Sequence, residues 1–454
     1  MMSLREAANL AHGILVGEDV HCTAVNTDSR TLQAGELFVA LQGEHFDGHA
    51  FLPNAAALGA AGAMVSRAEG VPLPAILVED TLLALGKLGR GWRQKFSMPL
   101  IGVTGSNGKT TLKEMLASIL SLQGATLATM GNLNNQIGVP MTLLRLGREH
   151  RFAVIEMGTS NPGEIAYLAN LALPTIGIVT NASAAHLLGL GSVAAVAKEK
   201  GALFEALPEQ GVAILNADDA HFPDWRQLGF GGKKISFGFS EQADVRAPES
   251  SLQLQVGTSI VQSFVVQHQG ESIPMQLPLL GKHNVRNALA AIAACRVLGL
   301  GWETIQAGLA TLVPAKGRLY PMHLSFGILL DDSYNANPLS FMAGIDALCS
   351  LSGEPWLVMG DMGELGETSA LQHAKVVEYA LAKGAQRLFV LGVEMSAAVK
   401  GLPQAQVFAS HEALAAALAQ ALKPGVTLLV KGSRFMAMES VIAKLQAVEV
   451  AACC

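Results

Sequence analysis

The sequence predicts an α/β protein of three domains. These are a small α/β domain, a central domain with a mostly parallel sheet and an appended antiparallel hairpin, and a Rossmann-like C-terminal domain. Three observations lead there. Short aliphatic and β-branched runs alternate with stretches of helical periodicity. A glycine-rich segment, Gly102-Val103-Thr104-Gly105-Ser106-Asn107-Gly108-Lys109-Thr110-Thr111, stands between a strand signal and a helix signal. The 454 residues are half hydrophobic but only 5% aromatic, so the cores are built from Leu, Val, Ile and Ala, as in layered α/β proteins.

The elements follow in chain order. Residues 1–95 carry strands at Glu36–Leu41 and Ala75–Val78. Between them the Ala-rich stretch Ala50–Ser66, interrupted by Pro53 and Asn54, reads as a packed helix and not as a membrane span. A second helix is expected from Leu82 to Lys95. Residues 96–313 open with Met98–Ile101, the end of a buried strand. Leu112, Met115, Leu116, Ile119 and Leu120 then mark one face of a helix. Strands follow at Phe152–Ile155 and Thr175–Val179. Leu252–Val256 alternates with period two and precedes Ile260–Val266, which predicts an antiparallel hairpin. A helix from Asn284 to Leu298 closes the block. Residues 314–454 repeat the strand–helix rhythm, with strands at Gly327–Leu330, Trp356–Met359, Arg387–Val390 and Thr427–Val430.

Bulk properties exclude several classes. A net charge of −6 gives no broad basic footprint for nucleic acid. The cluster Arg90, Arg93 and Lys95 is the kind found at a solvated helix end. Five cysteines (Cys22, Cys295, Cys349, Cys453 and Cys454) are odd in number, widely spaced and without a Cys–His set, which predicts a reducing compartment and no zinc site. Met1–Glu6 lacks the apolar core of a signal peptide. The expectation is a cytoplasmic monomer without a membrane or nucleic-acid partner.

Chemistry concentrates at the glycine-rich segment. Strand, glycine loop and helix together form a phosphate cradle, because freed backbone N–H groups and the positive helix end converge on one anion. Lys109 supplies a full charge for terminal phosphates and Thr110 a hydroxyl for Mg²⁺. Val103 stands where the usual motif has its first glycine. Glu156 ends a hydrophobic strand, the position from which a carboxylate reaches a phosphate-bound Mg²⁺. His186 follows the next strand. Lys198 and Lys200 lie in an apolar helix and are compatible with a solvated face. Asn284 and Asn287 share a helix face, either as caps or as partners for a base edge. Arg318 and Asp332 open the third block. Met359–Gly366 is a glycine-rich loop with acids but no lysine, better suited to an amine or to shaping a pocket than to phosphate.

These motifs, in this order and over nearly the whole chain, resemble the Mur ligases. The resemblance implies a UDP-sugar-binding N-terminal domain, carried by Thr27-Asp28-Ser29-Arg30 and by Leu37–His49, with Asp47, Gly48 and His49 as further substrate contacts. It identifies Thr104–Thr111 as the family's ATP loop, which accounts for the displaced glycines. Asn132, Asn134 and Asn135 would face the muramyl end of the substrate. Asn284, Asn287, Arg318 and Asp332 would contact ATP. Asn335 and Asn337, within Asp332–Pro338, would contact substrate and point to the branch that adds D-alanyl-D-alanine to UDP-N-acetylmuramoyl-tripeptide. The implied catalytic set is Lys109, Glu156, His186, Lys200 and Arg318. Two Mg²⁺ ions would be held by Thr110, Glu156, His186 and Lys200, with Lys200 either carbamylated or an ordinary salt-bridged lysine. The third domain is expected to swing shut about a hinge near Pro314–Gly317. A folylpolyglutamate synthase would lack the separate N-terminal domain, and a GTPase switch would need an Asn-Lys-x-Asp motif that the sequence does not contain.

Lys109→Ala is expected to abolish turnover while leaving the fold intact, because the residue lies in a solvent-facing loop. Steady-state assay together with circular dichroism checks both halves.

Overall fold

The computed structural model describes residues 1–452 apart from Ala68 and Thr258, without the side chains of 448–452. Cys453 and Cys454 lie outside the described residues. The three other cysteines are free.

Three main sheets of five, ten and six strands follow one another along the chain. The N-terminal sheet runs in the order Ile14–Val16, Ala75–Leu77, Gly62–Val65, Leu37–Val39, Val25–Asn26. Its first pair is antiparallel and the rest are parallel. The stretch expected as one helix from Ala50 to Ser66 divides. Its first part forms a helix, Leu52–Ala57, and its second a buried strand, Gly62–Val65. Gly59, at φ +79°, turns the chain between them, and Ala and Gly carry too weak a period to separate the two states.

The central sheet holds the topological switch. Leu100–Thr104 lies between Phe152–Glu156 and Ile176–Val179, parallel to both. Val103 pairs with Glu156 and Thr104 with Val179, so three carboxyl ends finish level. The strand runs on to Thr104, past the Ile101 expected as its end, because Gly102 and Val103 are buried and continue the ladder. Crevices at such a reversal of strand order are where open α/β sheets bind ligands. The hairpin is present, Gln253–Val256 against Ile260–His268, and gains a third strand, Glu271–Leu277. Alternation survives in this last strand only at its inner positions Met275 and Leu277, and Pro274 obscured it.

The main core of this domain lies between the sheet and two helices. Met115, Leu116 and Ile119 of Lys109–Ser121 meet Leu289, Ile292 and their neighbours of Lys282–Val297, all fully buried. The six-stranded C-terminal sheet places Gly327–Asp332 and Val426–Lys431 side by side and parallel, with the Tyr320–Leu324 strand antiparallel at its edge. Among the described residues no helix is long and apolar enough to cross a membrane.

The N-terminal domain rests on the central one through the helix Thr81–Arg93. Arg93, buried in this joint, donates to the carbonyls of Ala172 and Phe96. At Gly89 a Cβ would stand 2.9 Å from Pro140 Cα and 3.0 Å from its Cβ. Alanine normally gains about 1 kcal/mol over glycine inside a helix. Overpacking against a rigid proline costs about 1–3 kcal/mol, so the clash outweighs the propensity. Gly89→Ala is therefore expected to lower the thermal midpoint, as followed by calorimetry.

Candidate active site

A cleft of about 1020 Å³ opens above the level carboxyl ends, walled by the central and C-terminal domains. Its floor is the phosphate loop. Gly108, at φ +83°, turns the loop into the helix, and a Cβ there would meet Asn287 Oδ1 at 2.6 Å. The loop is pinned from behind. Ser106 N–H donates to the Asn181 carbonyl and Asn107 N–H to Asn181 Oδ1. Among the described residues the N–H groups of Gly108, Lys109, Thr110 and Thr111 have no acceptor, and Gly108 offers no capping side chain. Four aligned donors at a helix start are an anion site.

Charged groups crowd this point. Lys109 Nζ folds back to the Gly105 carbonyl at 2.7 Å. Desolvation pulls its pKa down and the Arg318 guanidinium works in the same sense, while Glu156 opposes both. Thr110 Oγ1 donates to Glu156 Oε2 at 2.9 Å and accepts from Arg318 Nη2 at 3.1 Å. Asn134 Nδ2 donates to the other Glu156 oxygen at 2.8 Å. Arg318 lies over the Tyr334 ring, 4.2 Å from its centroid. The hydroxyl and carboxylate at Thr110 and Glu156 suit Mg²⁺, which takes one or two carboxylates and completes its shell with phosphate and water. Among the described residues no group of three or more His, Cys, Asp or Glu side chains is placed to hold a metal ion.

His186 also faces the cleft, in the left-handed conformation at φ +56°. Its Nδ1 stands 2.6 Å from Glu364 Oε2, close enough for an ion pair but out of line for a hydrogen bond. The contact holds Glu364 below the ordinary carboxylate range. Lys200 is 1% exposed and stands behind the wall instead of on it. Burial, reinforced by the nearby Lys109, drives its pKa well below the ordinary lysine value.

Several expected contacts lie elsewhere. Thr104 and Gly105 sit behind the cleft wall, and the Thr104 hydroxyl donates inward to the Met157 carbonyl. Asp332 reaches the cleft, but its oxygens accept from Leu319 N–H and Lys431 Nζ, at 3.1 and 2.6 Å. Burial raises its pKa and Lys431 offsets part of the rise. Asn284 Nδ2 donates to the Leu280 carbonyl, and Asn287 Nδ2 donates to Asn284 Oδ1 at 3.5 Å. Asn132, Asn135, Asn335 and Asn337 line the cleft, and Asn134 sits deeper than expected, on Glu156.

Asp28, Ser29, Arg30, Asp47, Gly48 and His49 do not line it. They belong to the separate N-terminal domain. Asp28 and Arg30 pair on the surface, which lowers the Asp28 pKa to about 2. Asp47 is held below the carboxylate range by Arg67, with further help from His49. His49 is buried, with Nδ1 on Asp47 and Nε2 accepting from Ser66 N–H, so the ring braces the loop. Asp361 of the glycine-rich loop caps the Val393–Ala398 helix and so is structural.

Sequence reasoning missed Lys431, Tyr167 and His283, all of them on the wall. Lys431 could have been found by the argument that found Glu156, since it ends a parallel strand. His283 had no such signal.

Fold and site define a three-domain, ATP-using ligase built on a phosphate loop. The Mur ligase middle domain matches residues 103–295, the Mur ligase glutamate ligase domain 317–434, and the Mur ligase family catalytic domain 21–93. The chain belongs to the Mur ligase family. It is 44% identical to the UDP-N-acetylmuramoyl-tripeptide–D-alanyl-D-alanine ligase of Escherichia coli strain K12, over 98% of each chain. MurF from Acinetobacter baumannii superposes with a TM-score of 0.92 at 34% identity, covering 98% of this chain and 99% of that one. MurF ligase from Thermotoga maritima in complex with ADP gives 0.86 at 27% identity, covering 95% and 99%.

His283 carries a pH consequence. Burial first, then the charges of Arg286 and Lys431, lower its pKa from 6.5 to about 4. Below pH 6.5 the unfolded chain takes a proton that the folded one refuses, so this site costs stability progressively as pH falls towards 4. His283→Gln is expected to flatten the loss of stability in that window. Urea titrations at pH 7, 5.5 and 4.5, compared with the unsubstituted protein, measure it.

Proposed function

We propose that this chain joins D-alanyl-D-alanine to UDP-N-acetylmuramoyl-tripeptide with ATP, releasing ADP and phosphate during peptidoglycan precursor synthesis. The observation that carries the reading is the meeting of Lys109, Thr110, Glu156 and Arg318 in one interdomain cleft, in a chain nearly collinear with the E. coli ligase. Carboxylate is unreactive towards amines, so it must first be activated. A carboxylate oxygen of the tripeptide attacks the γ-phosphorus, the bond to the β-phosphate oxygen breaks, and ADP departs. The dipeptide amine then attacks the acyl phosphate carbon and loses a proton, the carbon–oxygen bond to phosphate breaks, and an amide remains.

The first step brings two anions together, so positioned cations carry most of the catalysis. A triphosphate laid on the N–H groups at the helix start would favour the charged form of Lys109, against the desolvation that lowers its pKa. Arg318 reaches across from the C-terminal domain to the same point. Mg²⁺ bound at Thr110 and Glu156 would supply charge neutralisation between phosphates, and His186 would help hold a second ion. Lys200 suits carbamylation, which converts the amine into a metal-binding carboxylate, because burial disfavours its ammonium form. Asn284 and Asn287 are read as the adenine side, and Asn132 and Asn135 as the muramyl side. Asp28–Arg30 and the Asp47–His49 loop are read as the UDP end. Nucleotide substrates and free cysteines accord with a cytoplasmic place of action, with domain limits at 95/96 and 313/314.

Phosphate release separates this reading from a nucleotide switch. The protein is expected to hydrolyse little ATP alone and to release phosphate rapidly only with both the UDP-tripeptide and the dipeptide present. Release indifferent to the dipeptide contradicts ligation.

A further inference from the structure

Asn337 is expected, from the resemblance, to face substrate, yet its side chain is committed elsewhere. It caps the helix Pro338–Cys349, with Oδ1 accepting from Ser340 N–H at 3.0 Å. The same amide then crosses the domain boundary. Its Nδ2 donates to Asn107 Oδ1 at 2.7 Å, and Asn107 Nδ2 donates back to its Oδ1 at 3.3 Å. Asn107 is equally constrained, since its carbonyl accepts from Thr180 Oγ1 and Asn181 Nδ2, and its Nδ2 also donates to Ser183 Oγ. Between them the two amides use both lone pairs of one oxygen and both hydrogens of one nitrogen.

This pair differs from the other contacts across the cleft. Arg318 and His186 are charged or chargeable and face the anionic ligands, whereas the amide pair is neutral. It also touches the loop next to Gly108, the residue on which the loop turns. An amide pair with two opposed bonds forms only at one separation and one orientation. The shape of the phosphate loop and the seating of the C-terminal domain are thereby tied together.

We propose that Asn337 is a positioning residue: through its reciprocal bonds to Asn107 it locks the docked C-terminal domain onto the phosphate loop in the arrangement that brings Arg318 to Thr110. The kinetic consequence rests on the ligase reading; the clasp itself does not. Asn337→Ser separates capping from clasping, because serine caps a helix as well as asparagine but is too short to reach Asn107.

The test is a double-mutant cycle of Asn337→Ser with Asn107→Ala, read in kcat and KM for the dipeptide, together with solution scattering of each protein. Each single variant is expected to lose about tenfold in kcat/KM, the order set by one or two neutral hydrogen bonds. The double variant should lose no more than the worse single one. Asn337→Ser should also have a larger radius of gyration than the unsubstituted protein. Losses that multiply, an Asn337→Ser variant with unchanged kinetics, or an unchanged radius would each overturn the proposal. If the unsubstituted protein does not ligate these substrates, the functional reading fails by itself. The scattering comparison then decides the clasp alone.

Discussion

Desolvation of basic groups crowded round one cleft, with their mutual repulsion added to it, is the constraint on which the site depends. Burial first, and then Arg318, disfavours the charge on Lys109; burial first, and then Lys109, disfavours that on Lys200. Arg286 and Lys431 do the same to His283. Glu156 offsets part of this, but it already accepts from Thr110 and Asn134. A polyanion bound in the cleft opposes the repulsion at Lys109, and the N–H groups at the helix start, which have no acceptor among the described residues, act in the same sense. The cleft is thus organised around a charge that the protein does not itself provide.

Holding such charges together requires stiff surroundings. The loop is tied to Asn181 and Thr180 behind it, the helix that follows is sunk in the largest core, and Asp332 with Lys431 braces the segment leading out of Arg318. That last pair is 2.6 Å apart and largely buried. Removing one partner would leave an uncompensated charge inside, so the pair is better regarded as a fixed geometry than as a source of stability. The domains are joined by contacts of different kinds. The N-terminal joint is packed and glycine-dependent at Gly89, whereas the C-terminal one combines polar contacts over the cleft with an apolar seam in which Ile260 and Leu280 join the core of the C-terminal domain.

Legibility in the sequence followed the strength of local signals. The phosphate loop, Glu156 at its strand end, and the hairpin were visible because each joins a residue type to an unambiguous period or turn. The helix–strand division within Ala50–Ser66 was not, since alanine and glycine suit both states. Lys200 was placed only by resemblance, and its burial could not be inferred from a pattern that equally describes a solvated helix face. That His49 also braces its own loop was not legible, because the partner of its Nε2 is Ser66, whose approach depends on how the sheet assembles.

By itself the sequence determined the strands and helices that carry a strong period, where the glycine turn lies, and that an anion belongs there. These are local matters of backbone freedom and periodic burial. Only the tertiary structure decided which side chains share a hydrogen bond across 46 residues, as Thr110 and Glu156 do, or across 230, as Asn107 and Asn337 do. The physical reason is that such pairs are selected by strand order and domain docking. Both are set by the packing of whole apolar faces, and no short stretch of chain contains that information.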